Sequence, residues 1–286
     1  MNEDVLIIGA GLAGLSCARE LEDYGISYLL LEASDTVGGR VRTDHVNGFL
    51  LDRGFQVFST AYPEAKRMLD YPALKLHHFS PGAMIRFGEK WHPMLDPFRH
   101  PFSALQSLLN PIGTCSDKFR VAKFRHRALS GSVPDVFNRP ETSTLQYLKN
   151  LGFSASMIER FFRPFLGGVF LDTELRTSSR IAEFIFRMFA SGNISLPAEG
   201  MGAISQQLSS LLPPKKIRTQ AKVASIHNTT VTLESGESLS VQGIIVATEG
   251  PTTGELLPSI TPPPYRRVAN LYFAAPAPPS KVHISY

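Results

Sequence analysis

A chain of 286 residues with 43% hydrophobic and 19% charged residues is long and apolar enough for one large domain or two moderate ones, and is neither a disordered tail nor a repeat fibre. The net charge of +4 comes from Lys and Arg spread along the sequence without a DNA- or RNA-binding motif, so no nucleic-acid partner is expected. Cys17 and Cys115 stand far apart, outside any Cys/His spacing, which gives no disulfide framework and no metal site.

Four residues precede the first apolar run, Val5-Leu6-Ile7-Ile8, which leaves no room for a signal or transit peptide, and no stretch approaches the ~20 apolar residues of a membrane span. A cytoplasmic chain is the expectation, with a plastid location as the alternative if a longer form carries a transit peptide. The run reads as a buried parallel strand. Gly9-Ala10-Gly11-Leu12-Ala13-Gly14 follows, then Leu15, Ala18 and Leu21 at helical spacing, a stop at Gly25, and a second strand over Ser27 to Leu31 that delivers Glu32.

Each part has a chemical reason. Gly9 permits a tight turn, Gly11 lets backbone approach a pyrophosphate, and Gly14 lets the helix pack closely on the strand. The free N–H groups at the helix start, from Leu12 and Ala13, favour an anion. Glu32, 18 residues after Gly14, stands where a carboxylate accepts the hydroxyls of an adenosine ribose. A glycine turn alone is also a common structural strand-to-helix turn. Here strand, helix, second strand and acid fall in the order a dinucleotide site requires.

The next stretch runs Leu31-Glu32-Ala33-Ser34-Asp35-Thr36-Val37-Gly38-Gly39-Arg40-Val41-Arg42-Thr43. It resembles the second signature of the superfamily of flavin amine oxidases, protoporphyrinogen oxidases and phytoene-type desaturases. The resemblance implies FAD as cofactor, with Gly38, Gly39 and Arg40 along its pyrophosphate and ribityl chain, Arg42 a weaker candidate, and Ala33 beside Glu32. It continues through Gly48 to Phe58, where relatives place backbone near the flavin ring, so Gly54 and Phe55 join the expected cofactor residues. Asp52 and Arg53 read equally well as a surface ion pair.

The middle of the chain is mixed, with a short helix near Pro63 to Asp70 and turns at Pro93, Pro97, Pro101 and Pro111. His77-His78 and His92 to His100 lack metal-ligand spacing. A helix over Asp117 to Leu129 carries Val121, Phe124 and Ala128 on a small apolar face and Arg120, Lys123 and Arg127 on another. A solvated surface helix is the favoured reading, and peripheral membrane contact the alternative. The aromatic run Arg160 to Phe170 and the helical series Ile181, Phe184, Ile185, Met188 and Phe189 read as core, or as the wall of a hydrophobic substrate pocket.

Pro197 to Gly202, with a helix over Ile204 to Leu212, resembles the turn by which the superfamily's chain re-enters its FAD domain. Three short strands follow over Ala221 to His227, Val231 to Leu233 and Leu239 to Val241, then a core strand over Ile244 to Thr248. The resemblance places Val223 at the adenine and Ala247 near the pyrophosphate. Residues 251 to 286 hold eight prolines and one plausible strand, Val268 to Phe273.

The expected fold is α/β: an FAD-binding Rossmann-like domain from segments 1–75 and 198–251, an inserted, largely helical substrate domain at 76–197, and at 252–286 the truncated start of a second substrate-domain segment. The C-terminal part of the superfamily fold is missing from the sequence. The function implied is FAD-dependent oxidation of C–N or C–C bonds in an amine or a hydrophobic, polyene-like small molecule, with no catalytic base assigned. The alternatives are a shortened, non-catalytic chain that binds FAD weakly or not at all, and an NAD(P) dehydrogenase, against which Gly38-Gly39-Arg40 argues.

Overall fold

The computed structural model describes residues 4–95 and 111–277. The expected turns at Pro97 and Pro101 and the histidine at 100 lie outside the described residues. Two compact units are formed, one from residues 4–58, 63–77 and 196–277, the other from 59–62, 78–95 and 111–195.

In the first unit, strand β1 (Val5–Ile8) leads through Gly9 into helix α1 (Leu12–Asp23) and back to strand β2 (Tyr28–Leu31). Gly25, at φ +67°, ends the helix in the left-handed region that a Cβ disfavours. A hairpin follows, β3 (Thr43–Val46) with β4 (Phe49–Asp52), turning at Asn47-Gly48 with φ +50° and +83°. The second segment adds helix α2 (Gly202–Ser210) and strands β5 (Ile217–Arg218), β6 (Val223–His227), β7 (Thr230–Leu233), β8 (Ser238–Ser240) and β9 (Gly243–Val246).

Strands from both segments share one parallel sheet in the order β5-β2-β1-β9, with Val5 opposite Tyr28 on one side and Gly243 on the other. The expected strand at 244–248 therefore lies beside the first. The side-chain period of two explains why β1 and β2 are continuously apolar. Ile7, Tyr28 and Leu30 face Leu15 and Ala18 of α1 and Leu208 and Leu212, whereas Leu6, Ile8, Leu29 and Leu31 face Val223, Val231, Leu233 and Leu239 of the antiparallel meander β6-β7-β8. Each such side chain, fully buried, contributes about 1.5–3 kcal/mol. Val268 to Phe273 is not a strand: no ladder partner runs beside it among the described residues, and Leu271 and Phe273 are exposed.

The second unit is largely helical, with the hairpin Gly82–Phe87 with Lys90–Leu95 and most of the short strand Ile194–Leu196 among its extended parts. Helices Cys115–Leu129, Thr144–Asn150, Arg163–Phe170 and Ser179–Ser191 surround Phe124, Leu148, Met157, Phe162 and Leu166, all buried. The helix at 115–129 corrects the expectation of a solvated surface element. Phe124 is completely buried, stacks on Phe186 with ring centroids 4.4 Å apart and meets Tyr147 edge-on, so its apolar face, though narrow, belongs to the core. Phe162 and Leu166 from the aromatic run are core residues too, while Phe161, Phe165 and Phe170 are half-buried at its edge.

Two buried carboxylates organise these helices. Asp117 accepts from the backbone N–H and hydroxyl of Thr114 (2.7 and 2.8 Å) and of Ser154 (2.8 and 2.6 Å), so one side chain fastens two helix starts. Glu183, on the expected apolar helix 179–191, accepts from Tyr147 Oη, from Arg139 and, at 2.9 Å, from Arg127. Charge at this depth is tolerated because both carboxylate oxygens are paired.

Burial works against ionisation of Asp117, but the hydrogen bonds from Ser154 and Thr114 prevail and hold its carboxyl below the ordinary range. Because the folded value is lowered, this stabilisation is present above the ordinary carboxylate value of about 3.9 and is lost as pH falls through the lower folded value. Urea unfolding should find Asp117→Asn less stable than wild type by about 1–3 kcal/mol at pH 7. The difference should shrink as the pH is taken from 5 toward 2. Glu183→Ala, which removes the carboxylate partner of Arg139 and of the Tyr147 hydroxyl, should cost about 3 kcal/mol in the same assay.

Candidate functional site

Two glycines of the loop, Gly9 and Gly14, stand where a side chain would collide with backbone. Gly9 has φ +102°, and a Cβ there would lie 2.9 Å from the carbonyl oxygen of Ala247. A Cβ at Gly14 would lie 1.8 Å from the carbonyl oxygen of Gly9, so the helix closes onto the strand end only if position 14 has no side chain. Gly11 differs: its φ is −73°, and a Cβ would meet nothing within 4 Å. It is also the N-cap of α1, and no side chain caps this helix. The loop thus leaves an open space lined by backbone, with the exposed Leu12 and Ala13 at the helix start and the positive end of the dipole behind it.

The second glycine turn meets the first. Gly38 donates to the carbonyl of Ala10 at 2.8 Å and forms a parallel bridge with Gly11, and a Cβ on Gly39 (φ +56°) would lie 3.4 Å from Gly11 Cα. Gly38 itself has φ +112°, with no room for a Cβ between the Val41 carbonyl (2.6 Å) and Ser205 Oγ (2.7 Å) of α2. Two loops some 28 positions apart become one backbone surface. Arg40 is exposed at its edge and has no ion-pair partner among the described residues. Arg42, by contrast, is paired with Asp35 at 2.6 Å and Asp44 at 3.6 Å; the hydrogen bond to Asp35 pushes its pKa up. That commitment makes Arg42 a clamp on the turn rather than a free cation.

Glu32 stands beside this surface. Its Oε2 accepts from Ala10 N–H at 2.8 Å, and its Oε1 accepts from the N–H and hydroxyl of Ser34 at 2.9 and 2.7 Å. The returning segment holds its backbone on both sides: Glu32 N–H donates to the Arg218 carbonyl at 2.9 Å, and Ala221 N–H donates to the Glu32 carbonyl at 2.8 Å. Ala33 is exposed next to it, and Val223, two residues beyond Ala221, is buried against the sheet. Ala247 donates to the Ile8 carbonyl at 2.8 Å, directly under the loop.

Gly54 closes the arrangement on the side of the Gly39–Arg40 turn, since a Cβ there would approach the Arg40 carbonyl to 3.0 Å. Phe55 is 54% exposed, and Gln56 donates to the Tyr272 hydroxyl at 2.7 Å. Asp52 and Arg53 are not an ion pair with each other. Arg53 pairs with Asp44 at 2.6 Å, whereas Asp52 is buried, accepts from Thr43 Oγ1 (2.5 Å) and Met201 N–H (2.9 Å), and fixes the turn that starts α2. Gly200, at φ +79°, passes so close to Thr43 that a Cβ would lie 2.6 Å from its side chain.

Sequence reasoning did not find Ser34, the strand β5 or the Thr43–Asp52–Met201 tie. Asn47-Gly48, a dipeptide suited to two-residue turns, is the signal by which the hairpin could have been found. β5 has two residues and carries no periodic signal, and Ser34 reaches Glu32 through a local turn of the backbone N–H and a side-chain rotamer that no spacing pattern marks.

The chain is similar to known proteins over most of its length. The family described as Flavin containing amine oxidoreductase matches residues 12–286. Protoporphyrinogen oxidase 2 of Arabidopsis thaliana is 25% identical over 171 residues, 57% of this chain and 32% of that protein. The 15-cis-phytoene desaturase of an Oncidium hybrid cultivar is 28% identical over 174 residues, 56% of this chain and 29% of its own length. The solved structure of a putrescine oxidase redesigned in its cofactor site superposes with a TM-score of 0.65 at 19% identity, covering 90% of this chain and 60% of the other, and an oxidoreductase from Methanosarcina mazei does so with 0.65, 19%, 89% and 61%. The chain thus spans about a third of these curated relatives and about 60% of the solved structures, and the structural likeness carries the fold. With the family matched over nearly its whole length and both glycine turns meeting beside Glu32, the chain belongs to the flavin containing amine oxidoreductase family.

Proposed function

We propose that the first unit holds FAD and that the protein serves as an FAD-dependent oxidoreductase acting on C–N or C–C bonds of an amine or a hydrophobic, polyene-like small molecule. The observation that carries the reading is the open backbone surface where Gly11 meets Gly38 and Gly39, one residue from the Ala10 N–H that binds Glu32. The residues fit the cofactor. Gly11, Leu12 and Ala13 would offer backbone at the helix start to the pyrophosphate and Arg40 a guanidinium, Glu32 would accept from the ribose, Val223 would lie at the adenine, and Gly54 and Phe55 would border the flavin end. When bound, FAD supplies the two-electron chemistry, and the protein binds and orients. The relatives named for protoporphyrinogen, phytoene and putrescine support an organic small-molecule substrate and divide between nitrogenous and polyene classes.

Purified protein should show a flavin visible spectrum after incubation with FAD, with FAD identified by mass on release; a chain that takes up NAD(P) instead would overturn the reading. Glu32→Gln should weaken FAD binding about tenfold or more, because a hydrogen bond to a charged group is worth ~1.5–3 kcal/mol and 1.4 kcal/mol is a decade.

The glycines separate fold from binding. Gly14→Ala drives a methyl into backbone and should lower stability by about 3 kcal/mol or more in thermal unfolding, beyond ordinary overpacking costs of ~1–3 kcal/mol. Gly11→Ala meets no protein atom and should leave the unfolding midpoint of the free protein nearly unchanged while lowering FAD affinity at least tenfold, about 1.4 kcal/mol, by filling the space beside the helix start.

A further inference from the structure

We propose that Ser34 is a positioning residue that holds the Glu32 carboxylate in the orientation at which it accepts from the adenosine ribose; the inference rests on the FAD reading above. An ionised carboxylate has about four acceptor sites. Ser34 fills two of them on Oε1, through its backbone N–H at 2.9 Å and its hydroxyl at 2.7 Å, and Ala10 N–H fills one on Oε2 at 2.8 Å. The acceptor site left over is on Oε2. That oxygen is the one bonded to the glycine loop, through Ala10 between Gly9 and Gly11.

A glutamate side chain is otherwise mobile, and ordering one costs up to about 2 kcal/mol. Here that cost is met before any ligand arrives, because Oε1 is gripped twice and cannot exchange places with Oε2 without breaking both bonds. Ser34 is fixed in turn by the returning segment, whose Gln220 N–H donates to the Ser34 carbonyl at 2.9 Å. Its hydroxyl also has a second acceptor, the Thr36 carbonyl at 2.8 Å. One proton cannot serve both, so a turn of this hydroxyl toward Thr36 frees an Oε1 site without leaving the hydroxyl unpaired. Ser34 therefore controls both where Glu32 points and how many ribose hydroxyls it takes.

The test is a titration of the full chain with FAD, followed by flavin fluorescence, and with ADP, followed calorimetrically. Ser34→Ala should weaken both ligands about three- to tenfold, the worth of one net hydrogen bond. Ser34→Thr, which keeps a hydroxyl, should restore wild-type affinity. In a Glu32→Gln background the Ser34→Ala loss should fall below about twofold, since Ser34 acts through Glu32. Wild-type affinity in Ser34→Ala, failure of Ser34→Thr to rescue, or losses that multiply in the double variant would each overturn the proposal. If Glu32→Gln weakens FAD while Ser34→Ala does not, the role of Ser34 alone fails. If Glu32→Gln binds like wild type, the ribose reading fails and this inference with it.

Discussion

Among the described glycines of the first unit, Gly14 leaves the least room for a side chain, since an added carbon would lie 1.8 Å from the Gly9 carbonyl oxygen. Everything at the site follows from that absence of a side chain. With α1 drawn against the end of β1, its first turn stands over the sheet edge, Gly11 becomes its uncapped N-cap, and the Ala10 carbonyl and N–H are left to receive Gly38 and Glu32. A helix set one methyl further out would move the loop from both of these partners. The second turn, the acid and the returning segment would then have nothing to dock against.

The site is also a junction of distant segments, which explains how much of it was legible in the sequence. Strand, glycine loop, helix and acid are local, their periods and turn residues lie within 30 positions, and they stand where the pattern puts them. Gly38 could be recognised as a second turn, but Ser205, which packs on it from another segment and donates to the Val41 carbonyl of the same turn, is encoded by no local pattern. Asp52 illustrates the same limit. Beside Arg53 it reads as a surface charge, yet the hairpin directs its carboxylate inward to Thr43 and Met201 and sends Arg53 out to Asp44.

In the second unit the misleading signal was amphipathicity. Phe124 occupies a narrow apolar face between basic residues, and the width of that face suggests a surface helix. Burial is achieved because Arg127 reaches Glu183 and Arg125 reaches the Ala190 carbonyl at 3.3 Å, so cations flank the core without being stranded in it. Glu183 is the counterpart: a carboxylate on an otherwise apolar helix face, stable only because Arg127, Arg139 and Tyr147 come from three other stretches of chain. Long basic side chains thus let a small aromatic core close at a modest cost in apolar surface.

These constraints account for a fold held at 19% identity with a TM-score of 0.65. The sheet needs only apolar side chains on both faces, which many sequences supply. The site needs a few positions of fixed backbone: Gly9 and Gly38 at positive φ, Gly14 without a Cβ, Gly11 with space beside it, and one acid bonded to two main-chain donors and one hydroxyl. A binding surface made of N–H groups and lone pairs is insensitive to most substitutions around it. The core and half-buried aromatic edge of the second unit are built from residues outside the glycine loops.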